Sequence, residues 1–142
     1  MKLNEQNFQN LVSYWAGKLQ LPLPLFRRDN RMYYSAVVTY CDECSVFNLT
    51  YNFKQIEKCE QSEVAGLVFH ELGHIKHKTY KLKDSIESEY LAEKFSIQCL
   101  KKHYPDFHKK EIKAWRKKIK DQEWREENPI HAEAFGKIKE YK

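Results

Sequence analysis

The sequence predicts an α+β fold in which a small sheet follows an N-terminal helix and precedes a set of later helices. Two changes of periodicity indicate this order. Apolar residues recur with helical spacing in 4–19, alternate along 45–53, and return to helical spacing from about residue 61. The chain has 142 residues, 42% of them hydrophobic, which suits one domain with one core. We therefore predict a single domain over 1–142, with 105–142 as a helical C-terminal extension packed on it.

The N-terminal helix is predicted from the apolar side chains of residues 4–19. They follow the i, i+3, i+4, i+7 spacing of an amphipathic helix, and they are Phe8, Leu11, Val12, Trp15 and Leu19. The segment LPLPLF at 21–26 ends this helix, because proline cannot continue it.

Residues 23–53 are predicted to form a three-stranded antiparallel meander. Asp29-Asn30 would turn the first hairpin and Asp42-Glu43 the second. Between them, MYYSAVVTY at 32–40 is rich in β-branched and aromatic residues. The third strand, SVFNLTYNF at 45–53, alternates and places on one face Phe47, Leu49, Tyr51 and Phe53.

Four helices are predicted after the sheet. The first begins near residue 61 and carries an apolar stripe of Val64, Leu67, Val68, Leu72 and Ile75. The second begins near Asp84, which can cap it and form a capping box with Glu87, and it extends to about His103. A lysine-rich third helix covers about 107–125. Asn128 and Pro129 are typical of the N-cap and first turn of a short terminal helix.

Composition limits the classes of function. No stretch approaches the roughly 18 apolar residues of a membrane helix, and the N-terminus lacks an apolar signal core. A cytoplasmic protein without a membrane partner is the resulting expectation.

The net charge is +5, and much of the excess lies in 101–120. This basic segment indicates either a solvated helix face or a surface for nucleic acid. The acidic residues of 121–128 weaken the case for nucleic acid.

The segment VFHELGHIKH at 68–77 carries the strongest chemical signal. On a helix, His70 and His74 lie one turn apart, about 6 Å along the axis, so both imidazoles can bind one Zn²⁺. Glu71 is rotated about 100° from His70 and can act on a water molecule as general base, which is the H-E-x-x-H arrangement. Gly73 costs about 1 kcal/mol inside a helix. The close approach of a neighbouring backbone would explain its presence.

A catalytic zinc ion has three protein ligands and one open position, so one more ligand is required. Glu89 and Glu93 lie four residues apart on the next helix. One carboxylate can bind the ion, and the other can accept the far N–H of a ligand histidine. Alternatively, these glutamates form solvent-facing pairs with lysines such as Lys94. His77 lies about 10 Å along the axis from His70, too far to share its ion.

HELGHIKH followed by EYLAE resembles the gluzincin zinc peptidases, which have H-E-x-x-H and then a glutamate on a following helix. The segment E-Y-x-A-E-x-x-S at 89–96 is similar to the E-Y-x-A-D-x-x-A pattern of the CAAX-prenyl and heat-shock membrane peptidases. That match makes Glu89 the third ligand and puts Glu93 where the family has aspartate. Chain size and element order look more like the small soluble ImmA/IrrE-type and SprT-like domains. The resemblance is specific over 70–96 and implies a zincin-like fold.

The resemblance implies a zinc-dependent endopeptidase that acts on a protein or peptide with a single catalytic Zn²⁺. Glu71 would be its general base. The strand 45–53 would pair its edge with an extended substrate through Phe47, Asn48, Leu49 and Thr50. A further donor should stabilise the oxyanion, and the candidates are Tyr90, His103, Tyr104 and His131.

Two alternative functions stay open from the sequence. A zincin-fold module without turnover could act by binding a regulator, although an intact Glu71 favours the enzyme. A protease of DNA-bound proteins would use the basic segment 101–120, and DNA retention that depends on salt would identify it. The pair Cys41 and Cys44 leaves three alternatives: free thiols, a redox pair, or a second zinc site completed by two further cysteines, Cys59 and Cys99.

Overall fold

The computed structural model describes residues 3–79 and 85–142, and it confirms the α+β class. The described residues form three strands, β1 (Leu25–Arg28), β2 (Ala36–Cys41) and β3 (Val46–Tyr51). They also form seven α-helices: α1 (Glu5–Lys18), α2 (Phe53–Ile56), α3 (Gln61–Lys76), α4 (Ile86–His103), α5 (Pro105–Lys118), α6 (Gln122–Glu127) and α7 (Pro129–Gly136). A short 3₁₀ helix follows at Lys139–Tyr141.

The sheet is not the predicted antiparallel meander. Its strand order is β1-β3-β2, with β3 in the centre. β2 and β3 form the predicted antiparallel hairpin, in which Cys41 lies opposite Val46. β1 instead pairs with β3 in parallel, with Leu25 opposite Asn48.

The segment 29–35 explains the parallel pairing of β1. Asp29 accepts a hydrogen bond from the backbone N–H of Arg31, and Asn30 accepts one from that of Phe53. The backbone N–H of Asp29 donates to Tyr51, and Ser35 accepts from the N–H of Asn52. The chain therefore crosses the end of β3 instead of turning back beside β1.

The main core lies where α1 and α3 pack on one face of the sheet. The alternation along β3 is confirmed, because Phe47, Leu49 and Tyr51 are buried whereas their neighbours are half-buried. The apolar stripe of α3 is confirmed too, with Leu67 partly buried and the other four residues buried: Val64, Val68, Leu72 and Ile75. This packing leaves the histidines of α3 on the side that faces α4.

The predicted N-cap of α4 and the single predicted helix 107–125 are wrong. α4 begins at Ile86 with Ser85 as its N-cap, because the Ser85 side chain accepts a hydrogen bond from the backbone N–H of Ser88. The predicted cap, Asp84, lies outside the described residues. The predicted helix 107–125 is two helices, since Asp121 caps a new one by accepting from the N–H of Trp124.

A second core cluster joins the C-terminal helices to α4. Its buried members are Ile97, Ile112, Ala134, Phe135, Ile138 and Tyr141. α7 begins at Pro129 after Asn128, as predicted, although the Asn128 side chain makes no capping hydrogen bond. Through this cluster the chain end reaches the glutamates of α4. Within the described residues, no helix has the length and apolar character needed to span a membrane.

Glu111 of α5 is expected to lower the stability of the fold at alkaline pH. It is 8% exposed, and burial raises its pKa from 4.5 to about 7. The folded state therefore binds more protons than the unfolded state between these pH values, and stability falls as the pH rises. Glu111→Gln should raise the free energy of unfolding at pH 8 by up to about 3 kcal/mol and change it little at pH 4.

Urea unfolding at the two pH values measures this difference. Glu43→Gln, which removes a charge from an exposed turn, is the control and should leave both values unchanged. Equal stabilities of Glu111→Gln and the parent chain at pH 8 would contradict the account.

Candidate metal site

α3 presents two histidines and a glutamate to the interior beside α4. The side chains of His70 and His74 are 11% and 12% exposed, and their ring centroids lie 5.0 Å apart. This is the one-turn spacing expected from the sequence. Buried polar groups on a helix require partners, and α4 supplies them.

Glu89 of α4 is the group on which these histidines converge. Its Oε2 lies 2.9 Å from Nε2 of His70, and its Oε1 lies 3.4 Å from Nε2 of His74. On a four-coordinate ion with bonds of about 2.0–2.1 Å, two ligand atoms lie about 3.3 Å apart. The observed separations are close to this value. Ligand atoms of all three residues lie within 4.8 Å of one another, so the group can hold a metal ion.

The outer nitrogens of both ligand histidines have partners of their own. Nδ1 of His70 lies 3.2 Å from Glu93, and Nδ1 of His74 lies 2.8 Å from the hydroxyl of Thr79 and 3.2 Å from that of Ser88. Such contacts fix the ring orientation and direct Nε2 towards a metal. Glu93 thus lies at the position that the sequence predicted for it.

Tyr141 extends this chain of contacts to the C-terminus. Its hydroxyl donates to Oε2 of Glu93 at 3.0 Å, while Oε1 of Glu93 contacts His70. Burial and the negative charge of Glu93 raise the pKa of Tyr141 far above its ordinary value, so the phenol stays protonated. The C-terminal segment therefore helps to position a candidate ligand.

Opposite charges are concentrated at the centre of the site. Burial by itself would raise the pKa of Glu89, but hydrogen bonds from His131, His70 and His74 hold it well below its usual range. Burial likewise opposes a charge on His70, yet Glu89 and Glu93 raise its pKa well above the ordinary value. A buried carboxylate surrounded by imidazoles stabilises a cation at this point, either a proton or a metal ion.

Glu71 lies beside the group without joining it. The residue is 7% exposed, and its Oε2 is buried with no hydrogen-bond partner among the described residues. Burial raises its pKa, against the opposing effect of His74 and His70. An unpaired buried carboxylate oxygen normally has a cause, such as a water molecule or an ion that it contacts. The donor set can hold a metal ion, and this unpaired oxygen lies beside it.

Gly73 confirms the predicted close approach of a neighbouring backbone. A Cβ at this position would lie 2.9 Å from both Cα and O of Ala92, and 3.2 Å from the ring of Phe95. The glycine therefore lets α3 and α4 approach closely enough for Glu89 to reach both histidines. His77 ends α3 as its C-cap, with its ring 6.0 Å from that of Phe95, and is not part of the group.

Of the four predicted oxyanion donors, the structure brings one to the site. Nε2 of His131 on α7 lies 3.2 Å from Glu89, and the residue lines the cleft. The prediction is wrong for His103 and Tyr104, which pack against Trp15 at the far end of α4, about 21 Å along the helix from Glu89. Tyr90 packs against the second core cluster and does not line the cleft.

The predicted substrate strand is also wrong. The segment Phe47, Asn48, Leu49 and Thr50 belongs to the central strand, and its neighbours pair with it on both sides from Asn48 onward. Its edge is therefore occupied. The strand that lines the cleft is β2, through Ala36, Val37 and Val38, beside the histidines and Glu71 in a space of about 50 Å³.

The cysteines do not form a second metal site in the described part of the chain. All four are free thiols, and the one group of three or more metal-ligating side chains found there contains none of them. Cys41 accepts a hydrogen bond from the backbone N–H of Cys44 at 3.2 Å. The described structure therefore does not bring the four thiols together at one site, and the redox alternative stays a prediction.

The sequence reasoning missed Thr79, Ser88 and Tyr141. Thr79 and Ser88 are short hydroxyl residues near the motifs, but Thr79 lies beyond the end of α3 and Ser88 directly precedes Glu89, so helical spacing gave no signal for either. Tyr141 is more than 45 residues from Glu93, so only the folded chain brings the two together.

Tyr141→Phe is expected to weaken metal binding about tenfold, because outer partners of ligand histidines typically contribute 10- to 100-fold to affinity. Competition with a chromogenic chelator measures this change. Tyr14→Phe, at an exposed position of α1, is the matched control. An unchanged metal affinity of Tyr141→Phe would show that the hydrogen bond from the phenol is not required for Glu93 to position His70.

Comparisons with known proteins found no relative of this chain. No family model, no curated protein sequence and no solved structure matches this chain. The case for a function therefore depends on the geometry of the site.

Proposed function

We propose that this protein is a zinc-dependent endopeptidase. The observation that carries the proposal is the unpaired, buried Oε2 of Glu71 next to the group of His70, His74 and Glu89. A purely structural metal site does not need such a carboxylate. A hydrolytic site needs one as its general base.

Zinc is the ion that suits these ligands best. Two imidazoles and one carboxylate are a common ligand set of catalytic zinc, and three protein ligands leave one position open. A calcium or magnesium site would instead be rich in oxygen ligands. The resemblance to gluzincins in 70–96 agrees with this choice, and we propose membership of that class.

The residues around the ion have separate tasks. When bound, Zn²⁺ makes a coordinated water more acidic and polarises a carbonyl group. Glu71 accepts the proton of the attacking water and passes it to the leaving amine. His131, whose ring lies beside Glu89 and is 5.9 Å from that of Tyr34, donates a hydrogen bond to the oxygen that gains negative charge.

β2 provides the surface for the substrate backbone. Ala36, Val37 and Val38 line the cleft, and within the described residues no strand pairs with the outer edge of β2. An extended peptide can add to this edge by main-chain hydrogen bonds. This pairing would place a peptide bond next to Glu71.

The test is cleavage of a complex peptide mixture by the purified 142-residue protein. We expect cleavage by the zinc-loaded protein, its loss on treatment with 1,10-phenanthroline, and its return when zinc is added. The isomer 1,7-phenanthroline, which does not chelate, is the control. Cleavage that persists after the zinc is removed would contradict the proposal. Zinc and peptide binding without any cleavage would favour the silent binding module.

A further inference from the structure

A large groove of about 550 Å³ continues from the metal site between α3, α5 and α7. His70, Glu71 and His131 lie at one end of it, so a substrate bound at the site has direct access. Glu71, whose buried Oε2 has no partner among the described residues, is also one of the residues that line the groove. The groove is therefore connected to the reacting centre.

The lining of the groove is acidic although the protein is basic. The chain has a net charge of +5. The groove nevertheless contains five glutamates and a single lysine, and the glutamates are Glu63, Glu71, Glu93, Glu111 and Glu127. His70 and His131 also line the groove, at its metal-site end, but acidic side chains outnumber basic ones, and a concave surface with an excess of one charge attracts the opposite charge.

The lysine does not neutralise the glutamates in the described structure. The ammonium of Lys118 lies 4.8 Å from the ring centre of Trp115 and 5.7 Å from that of Trp124. Both rings line the groove, so the aromatic wall already stabilises a cation.

Glu111 is the most informative of these residues. Its carboxylate is buried and accepts a hydrogen bond from Ser62 at 3.2 Å. No cationic side chain of the described residues lies within 4 Å of it. A buried carboxylate without a counter-charge destabilises the fold. Such a residue is typical of a site that a ligand completes.

The position of Glu111 suits a side chain that enters from the metal site. A Cβ on Gly66 would lie 3.5 Å from Oε1 of Glu111, and Gly66 is one helical turn, about 6 Å, from His70. The extended side chain of a lysine spans on the order of 6 Å on its four-carbon stem. A substrate lysine or arginine next to the scissile bond can therefore bring its charge to Glu111.

From this arrangement we propose that the groove selects substrates with a lysine or arginine beside the scissile bond. Glu111 binds the cationic head, and Trp115 packs on the stem. The inference depends on the proposed peptidase function, since it names the substrate class of the same site.

Cleavage-site mapping tests the selectivity. The zinc-loaded protein is incubated with proteome-derived peptides that end in glutamate, so that lysine and arginine remain internal. We expect these residues to be enriched at least about fivefold at one position flanking the cut. Glu111→Gln, which keeps an acceptor for Ser62, should reduce the enrichment below about twofold, whereas Glu43→Gln should leave it unchanged. Cleavage without enrichment, or enrichment that survives in Glu111→Gln, would overturn the inference.

A binding measurement separates this inference from the proposed chemistry. Zinc-loaded Glu71→Gln protein is titrated with a capped pentapeptide of four alanines and a central lysine, and with the same peptide carrying norleucine. The lysine peptide should bind at least about tenfold more tightly, and Glu111→Gln in the same background should remove the difference. If the protein cleaves no peptide, the peptidase proposal fails. A tenfold tighter binding of the lysine peptide would then still support the groove as a binding site for a cationic side chain. Equal affinities for the lysine and norleucine peptides would refute the proposed selectivity of the groove.

Discussion

Glu71→Gln should abolish peptide cleavage while the protein keeps its metal. Loss of a general base lowers rates by about 10²- to 10⁴-fold, and glutamine cannot accept the proton. Glu71 lies outside the group of His70, His74 and Glu89, so zinc affinity should change little. Cleavage rate and zinc content, measured on the same sample, check both statements.

The control for this prediction is Glu87→Gln, which removes an exposed carboxylate from α4. It should cleave at the rate of the parent chain. Two outcomes would contradict the assignment of Glu71 as general base. One is cleavage by the purified Glu71→Gln protein at the rate of the parent chain. The other is a loss of bound zinc that parallels the loss of activity.

The second large effect concerns Gly73. We expect Gly73→Ala to lower the free energy of unfolding by about 1–3 kcal/mol, the usual range for overpacking. The added methyl group would lie 2.9 Å from backbone atoms of Ala92, which cannot rotate away as a flexible side chain could. Zinc affinity should fall as well, because α3 and α4 must move apart and Glu89 then recedes from His70 and His74.

Gly17→Ala is the matched control. Gly17 also lies in a helix, but a Cβ there would have no neighbour within 4 Å. Alanine should therefore stabilise this position by up to about 1 kcal/mol through helix propensity. Urea unfolding of both variants, together with chelator competition, measures the effects. If Gly73→Ala were as stable as Gly17→Ala, close helix contact would not be what assembles the site.

Local patterns predicted the elements well because they depend on nearby residues. Helical spacing identified α1 and the apolar face of α3, and alternation identified β3. Strand order was not predictable in this way, since the hydrogen bonds of Asp29 and Asn30 that lead the chain across β3 involve residues more than 20 positions away. The two caps Ser85 and Asp121 also set boundaries that the broader periodicity did not show.

The candidate site was predictable where its residues share a helix face. The spacing of His70 and His74 by one helical turn predicted that both lie on one face of α3. The same argument placed Glu89 and Glu93 on one face of α4. His131 stayed one of four candidates, because only the packing of α7 on α4 brings it to Glu89.

The central claim is that one zinc ion is bound by His70, His74 and Glu89. X-ray absorption at the zinc edge, combined with anomalous diffraction from crystals of the zinc-loaded protein, tests this claim most directly. The account predicts a single ion at this position, with nitrogen and oxygen neighbours at about 2.0–2.2 Å and no sulfur. An ion bound by sulfur at about 2.3 Å, or any ion that lies away from these three residues, would contradict it.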